Sequence, residues 1–157
     1  MTNKDNIKVM KSMREIASEL AFNHSREVQF RFNDIDTLGH LNNSVYFQLY
    51  DLGKAYYFNT IKRENIDWSK ADIVVANVNC DFCAPIFFDE NIHVQTKMLN
   101  IFDKSFKLIQ QLINIETGEV KSVCVTIMVG YDVKLKQSKS ITDEWRNALS
   151  KYEGVEL

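Results

Sequence analysis

Proline, glycine and cysteine are scarce in this sequence of 157 residues, which has one proline, five glycines and three cysteines. So few chain-breaking residues predict long helices and strands joined by short loops. An odd number of cysteines without an apolar secretory leader indicates free thiols. Cys80 and Cys83 have the spacing of half a zinc site, but no second pair follows, so we expect neither a metal nor a cofactor.

Concentrated charge and long apolar runs are also missing. The net charge is -2 with both signs scattered, whereas nucleic-acid-binding proteins usually carry a concentrated basic face. No apolar run approaches the ~20 residues of a membrane span, and the first twenty residues lack the unbroken apolar segment of a signal peptide. We therefore expect a cytoplasmic protein with one domain, residues 1–157, that binds neither nucleic acid nor membranes.

Hydrophobic periodicity divides the chain into three helices and five strands. Apolar residues at helical spacing predict helices over 5–22, 43–60 and 142–152, the first of them in an N-terminal extension that covers 1–25. Alternation and turn residues predict strands over 26–32, 72–83, 89–101, 104–116 and 119–132.

The central helix is apolar over so much of its circumference that it must be surrounded on several sides. This order of elements favours an α+β fold, in which a curved antiparallel sheet wraps around the long helix. In the first strand, Val28, Phe30 and Phe32 alternate with polar residues and are predicted to face the core.

The polar segment 33–43 is the one best suited to chemistry. It holds two carboxylates, one histidine and several asparagines, and it ends where the long helix begins. Backbone N–H groups at a helix start have no partner within the helix, and each such donor stabilises a developing oxyanion by ~3–4 kcal/mol. A nearby carboxylate supplies a nucleophile or a general base for acyl transfer. Ordinary loop and capping roles explain the same residue types without catalysis.

Residues 34–46, D-I-D-T-L-G-H-L-N-N-S-V-Y, resemble the signature of the 4-hydroxybenzoyl-CoA thioesterase family, roughly D-x-D-x-x-G-H-x-N-N-x-x-Y. Residues 78–85 are a weaker match to that family's strand that ends in an aromatic residue and a proline. The resemblance covers about residues 26–132 and implies a hot-dog fold and the hydrolysis of acyl-CoA thioesters. The N-terminal helix at 5–22 is not part of the family's usual pattern.

The resemblance implies a role for each catalytic candidate. Asp36 falls on the family's catalytic carboxylate, which is a nucleophile in some members and a general base in others. Asn43 falls on the helix-start position whose backbone N–H polarises the thioester carbonyl, and His40 matches a histidine present in many members. Leu38 stands where related acyl-ACP thioesterases with a proposed catalytic histidine have asparagine, which weakens the case for His40. Asp34 is expected to tie the loop down.

Substrate-binding roles are expected for Gly39, Asn42 and Tyr46, the last beside the acyl pocket or simply in the core. Asp51 is expected either to orient a water molecule or to pair with Lys54, three residues further along the helix. Four aromatic residues are further candidates for the acyl pocket: Phe47, Tyr50, Phe58 and Phe82.

Similar proteins place the active site between subunits, so the resemblance implies a homodimer or homotetramer that takes acyl-CoA as its substrate. Two alternatives stay open. One is an acyl-ACP thioesterase, for which a basic surface around the site would match the acidic carrier protein. The other is a non-catalytic hot-dog module that binds acyl-CoA. A dehydratase of this fold would place its histidine and carboxylate in a different motif.

Overall fold

The computed structural model describes residues 10–64, 67, 69 and 71–156. Its elements, in chain order, are α1 (Met13–Ser18), β1 (His24–Glu27), α2 (Asn43–Lys62), β2 (Ile73–Phe82), β3 (Ile92–Ile101), β4 (Ser105–Asn114), β5 (Val120–Asp132), β6 (Gln137–Ser138) and α3 (Asp143–Glu153). Five strands form one antiparallel sheet in the order β1-β3-β4-β5-β2, and β6 pairs with β5. The sheet curls around α2, which confirms the predicted α+β hot-dog fold.

Both halves of α2 are packed against the concave face of the sheet. The N-terminal half buries Val45, Tyr46 and Leu49 among residues of β3, β4 and β5. The C-terminal half buries Tyr57 and Phe58 between the sheet and α3. A helix that is apolar on several sides is therefore enclosed, as its sequence predicts. Within the described residues, no helix is long and apolar enough to cross a bilayer.

The last residue of α3 carries a carboxylate into the core. The side chain of Glu153 is only 1% exposed. Its Oε1 accepts hydrogen bonds from the Tyr57 hydroxyl at 2.6 Å and the Met98 N–H at 3.1 Å, and its Oε2 lies 2.8 Å from Lys97 Nζ. A buried charge is tolerated only when it is paired and hydrogen-bonded. These three donors therefore fix the end of α3 to α2 and β3.

The opposite, convex face of the sheet is covered by α1. This helix begins at a capping box, in which Ser12 Oγ accepts the Glu15 N–H and the Glu15 carboxylate accepts the Ser12 N–H. Ala17 packs onto outward-facing apolar residues of β4 and β5. The helix predicted over 5–22 is thus much shorter in the structure, and residues 1–9 of the chain lie outside the described residues.

The first strand ends earlier than predicted. It spans His24–Glu27 instead of 26–32. Asp34 Oδ2 accepts the Arg31 N–H at 2.7 Å and turns the chain into a short 3-10 helix. Phe32 is consequently 76% exposed, so the prediction that it faces the core is wrong. The other predicted helices and strands agree with the structure to within a few residues at each end.

Gly53 allows α2 to approach β3 closely. A Cβ atom at this position would lie 2.6 Å from Val94 Cγ2 and 2.9 Å from Gln110 Nε2. Gln110 cannot easily give way, because its Nε2 donates to the Tyr50 carbonyl at 3.1 Å and to Thr96 Oγ1 at 3.0 Å. The distance between the helix and the sheet therefore depends on the absence of a side chain here.

We expect Gly53→Ala to lower the free energy of unfolding by about 1–3 kcal/mol, the usual cost of overpacking a core. This loss opposes the higher helix propensity of alanine. Urea unfolding measures the change, and Gln48→Ala on the exposed face of the same helix is the control, with little expected effect. A Gly53→Ala protein that is as stable as the parent would contradict the close packing.

Candidate active site

A cleft of about 310 Å³ opens where the N-terminus of α2 meets the end of β2. Its walls are formed by His40, Asn43, Tyr46, Phe82, Cys83, Ala84 and Pro85. The first three belong to the 34–46 motif, and the other four belong to the 78–85 match. The fold therefore brings the two segments that carry the family resemblance together at one place.

The start of α2 offers an unused N–H group at this cleft. Asn42 is the N-cap, since its Oδ1 accepts the Ser44 N–H at 3.0 Å and its carbonyl accepts the Val45 N–H at 2.9 Å. No acceptor among the described residues is hydrogen-bonded to the N–H of Asn43. An oxygen atom of a ligand can take that position, and the helix dipole favours one with negative charge.

The loop before α2 is held at both ends. Asp34 accepts hydrogen bonds from the backbone and side chain of Arg31, and its carbonyl accepts the Asn42 N–H at 2.8 Å. The Arg31 backbone N–H, followed by its guanidinium, lowers the pKa of Asp34. Leu41 is fully buried, and its N–H donates to the Ile86 carbonyl at 2.8 Å. Asp34 thus has the structural role expected for it.

Asp36 lies next to His40 and is not part of the cleft wall. Its Oδ1 accepts the Leu38 N–H at 2.8 Å, while its Oδ2 lies 3.9 Å from His40 Nδ1. Gly39, with φ +85°, closes the turn that brings the two side chains together. The Asp36 side chain is 26% exposed and that of His40 is 32% exposed. His40 therefore faces the cleft directly, and the Asp36 carboxylate reaches solvent beside it.

Tyr46 was one of four residues predicted to bind the substrate. The other three lie outside the cleft wall. Gly39 and Asn42 shape the turn and the helix start. Asp51 Oδ1 lies 2.8 Å from Lys54 Nζ, and its side chain is 73% exposed. The pairing alternative for Asp51 is the one found in the structure.

Four aromatic residues were proposed for the acyl pocket, and of these four Phe82 alone lines the cleft. Tyr50 and Phe58 are each 1% exposed in the core, and Phe47 is exposed on α2. The cleft is also lined by Cys83, Ala84 and Pro85. None of the three was predicted to be a site residue. The available signal was the chain's one proline, which follows a strand in the second motif match.

The three cysteines are free thiols. Cys124 is buried, and Cys80 and Cys83 are half-buried, which agrees with small residues that fill space. In the part of the chain that the structure describes, no group of three or more His, Cys, Asp or Glu side chains is arranged to hold a metal ion.

An ion pair is buried behind the cleft wall. Lys121 Nζ lies 2.6 Å from Glu90 and also contacts Glu119, and its side chain is 2% exposed. Burial opposes the charge of Lys121, but the hydrogen bonds to Glu119 and Glu90 outweigh it and raise the pKa of the lysine. The Lys121 carbonyl accepts the N–H groups of Cys83 at 2.8 Å and Ala84 at 3.0 Å. The strand that holds the ion pair therefore also supports the cleft wall.

Burial is the largest single effect and raises the pKa of Glu90, but the hydrogen bonds from Lys121, the Phe87 N–H and Asn114, with the charge of Lys121, together outweigh it, so the net shift is downward. This lowered pKa adds stability above the unfolded value of about 4.3, and the contribution is lost as the pH falls through the folded pKa. We expect Lys121→Met to lower the free energy of unfolding by about 1–3 kcal/mol at pH 7, because the half-buried Glu90 carboxylate loses its partner.

The effect of Lys121→Met should shrink between pH 7 and pH 4, because protonation of Glu90 removes its buried charge. Urea unfolding at several pH values measures this trend. The double variant Lys121→Met, Glu90→Gln is the control, and it should recover part of the loss at pH 7. An equal loss at every pH would show that the ion pair is not its source.

The fold and the cleft are those of a hot-dog protein with a site suited to thioester chemistry. The family of the chain follows from its sequence similarity. Residues 30–149 match the family described as the Thioesterase-like superfamily. The chain belongs to this superfamily, and its general activity is thioester hydrolysis. The narrower kinship with 4-hydroxybenzoyl-CoA thioesterases stays a prediction. Among curated proteins, none matches this chain in sequence.

Solved structures of thioesterases share the fold. A thioesterase from Thermus thermophilus, complexed with coenzyme A and Zn, is 24% identical with a TM-score of 0.76 and covers 87% of this chain and 98% of its own. A 1,4-dihydroxy-2-naphthoyl-CoA thioesterase from Synechocystis is 15% identical with a TM-score of 0.70 and covers 80% of this chain and 93% of its own. At these identities the likeness establishes the fold alone.

Proposed function

We propose that this protein hydrolyses acyl-CoA thioesters to a free acid and CoA. The proposal is carried by one observation: His40 and Asn43, whose N–H has no partner among the described residues, line the same cleft, and the Asp36 carboxylate lies 3.9 Å from the His40 imidazole. Coenzyme A in the Thermus thermophilus thioesterase and the naphthoyl-CoA substrate of the Synechocystis enzyme support CoA as the carrier.

In the proposed reaction, the carbonyl oxygen of the thioester accepts a hydrogen bond from the Asn43 N–H. Attack on the carbonyl carbon places negative charge on that oxygen, and a fixed donor at the positive end of a helix dipole stabilises it. The carbon–sulfur bond then breaks, and the CoA thiolate takes up a proton. His40 orients the attacking group or donates a hydrogen bond from the cleft wall.

Asp36 has two chemically distinct options. As a nucleophile it forms an anhydride with the acyl group, which water then hydrolyses. As a general base it removes a proton from the water that attacks the thioester directly. Asp36 is not among the residues that line the cleft, and a base can act through a water molecule whereas a nucleophile must reach the carbonyl carbon itself, so we favour the general base.

A single turnover in ¹⁸O-labelled water, with enzyme in excess, tests this choice. We expect label in the product acid and none in the Asp36 carboxylate, as measured by mass spectrometry of the product and of peptides from the enzyme. Incorporation of label into Asp36 would instead identify the nucleophilic route.

We expect Asp36→Asn to lower kcat at least ~100-fold, the scale of losing a positioned base or nucleophile. Binding of an acyl-CoA ester should survive, because the Asn43 N–H and the cleft wall remain. Thiol release, followed with a chromogenic reagent, measures turnover, and calorimetry measures binding. Asp103→Asn is the matched control, since that residue is exposed in the turn between β3 and β4, outside the cleft. Near-normal turnover by Asp36→Asn would refute its catalytic role.

The same assay separates the alternatives. Faster hydrolysis of acyl-ACP than of the matching acyl-CoA would establish the carrier protein as the substrate. An absence of thiol release from every ester, together with tight binding of CoA esters, would make the protein a binding module.

We also propose a homodimer formed through β2. This strand is an edge of the sheet, and most of its ten residues are exposed. On the face that it shares with α2, Val75, Val78 and Phe82 are 39–48% exposed. A long, flat, apolar edge is a template for pairing with another strand. A second copy of β2 would cover it and extend one sheet across both subunits, beside the cleft.

We expect the parent protein to sediment at twice its chain mass of 18.3 kDa and Val78→Lys to sediment as a monomer, because the charge would be buried in the interface. Analytical ultracentrifugation measures both. Glu116→Lys, in the exposed turn between β4 and β5, is the control and should remain dimeric. A dimeric Val78→Lys protein would place the interface elsewhere.

A further inference from the structure

We propose that Tyr46 forms the floor of the acyl pocket and restricts the substrate to short-chain or single-ring acyl groups. This inference rests on the proposed thioester hydrolysis at the cleft. It adds the class of acyl group, which neither the motif nor the fold specifies.

Tyr46 stands at the inner end of the cleft. It follows Asn43 by three residues, so the two share one side of α2. It lines the cleft but is only 3% exposed, whereas Phe82 in the same wall is 48% exposed. This contrast is expected of a floor and a side wall. An acyl group whose carbonyl oxygen is bound to the Asn43 N–H would meet the Tyr46 ring on its way toward the core.

The ring of Tyr46 is held in place from the side by Phe82. It meets the Phe82 ring edge to face, with centroids 5.0 Å apart and an interplanar angle of 86°. Such aromatic pairs add ~0.5–1.5 kcal/mol beyond burial of their surface. Burial raises the pKa of the Tyr46 hydroxyl, against a smaller opposing effect of the Ile86 backbone amide and of Lys121. With the residue only 3% exposed, the hydroxyl is buried as well.

The layer beneath Tyr46 is filled. Leu49, Tyr50, Ile86 and Cys124 belong to the same core cluster, and each is 4% exposed or less. A close-packed interior leaves no room for an extended chain without displacing side chains. The cleft volume of about 310 Å³ lies at the low end of the ~300–1,000 Å³ of ligand sites, and the carrier arm must share it.

The test is a panel of acyl-CoA esters from acetyl to palmitoyl, with benzoyl-CoA, assayed by thiol release. For the parent protein we expect kcat/KM to be highest for short-chain or benzoyl esters and to fall on the order of tenfold or more for palmitoyl, since a pocket rejects groups too large for it. Tyr46→Ala should move the optimum to longer chains. Tyr46→Phe keeps the ring and should leave the optimum unchanged.

Urea unfolding shows whether Tyr46→Ala folds. If it does not, Tyr46→Leu replaces it, because leucine also removes the ring but leaves a smaller cavity in the core. A parent protein that prefers palmitoyl esters, or a folded Tyr46→Ala or Tyr46→Leu with an unchanged optimum, would overturn the inference and leave the proposed hydrolysis intact. An absence of hydrolysis of every ester would instead contradict the proposed function itself.

Discussion

The close contact between α2 and β3 at Gly53 determines where the start of α2 lies, and with it the cleft. Val94 Cγ2 lies only 2.6 Å from where a Cβ atom of Gly53 would be, so the helix rests directly on the sheet. A helix is stiff and rises 1.5 Å per residue, so this contact fixes the N–H of Asn43 about 15 Å away. Leu41, fully buried and bonded to the Ile86 carbonyl, anchors the chain just before the helix. Packing of the core, more than the loop itself, thus positions the cleft.

Much of this architecture follows from the sequence, because long elements repeat their periodic signal many times. The apolar stripe of α2 and the alternation in β3 identify buried faces without any knowledge of their partners. Both motif segments, 34–46 and 78–85, contribute to the cleft, but they meet only in the folded sheet, so the sequence did not predict that they would form one site. The short elements were harder: β1 ends early because the Asp34 carboxylate takes the Arg31 N–H and turns the chain.

Side-chain positions in the site were the least predictable part. Spacing places Asp36 near His40, but it does not show that Leu38 takes one oxygen of the carboxylate and leaves the other facing the imidazole. Composition also does not reveal that Lys121 is buried. A lysine charge is compatible with the interior only when it is paired, and here the partner is Glu90, whose carboxylate lies 2.6 Å from Lys121 Nζ. Such details depend on contacts between distant segments, which no local pattern encodes.

The buried carboxylate of Glu153 also constrains how the protein folds as it is synthesised. Its partners Tyr57, Lys97 and Met98 are made long before it, yet they obtain their shared acceptor only when α3 leaves the ribosome. Until then the C-terminal half of α2 lacks the cover that α3 provides. A nascent chain therefore exposes that part of its core until α3 has emerged, and chaperones that recognise apolar surfaces have their opportunity during this interval.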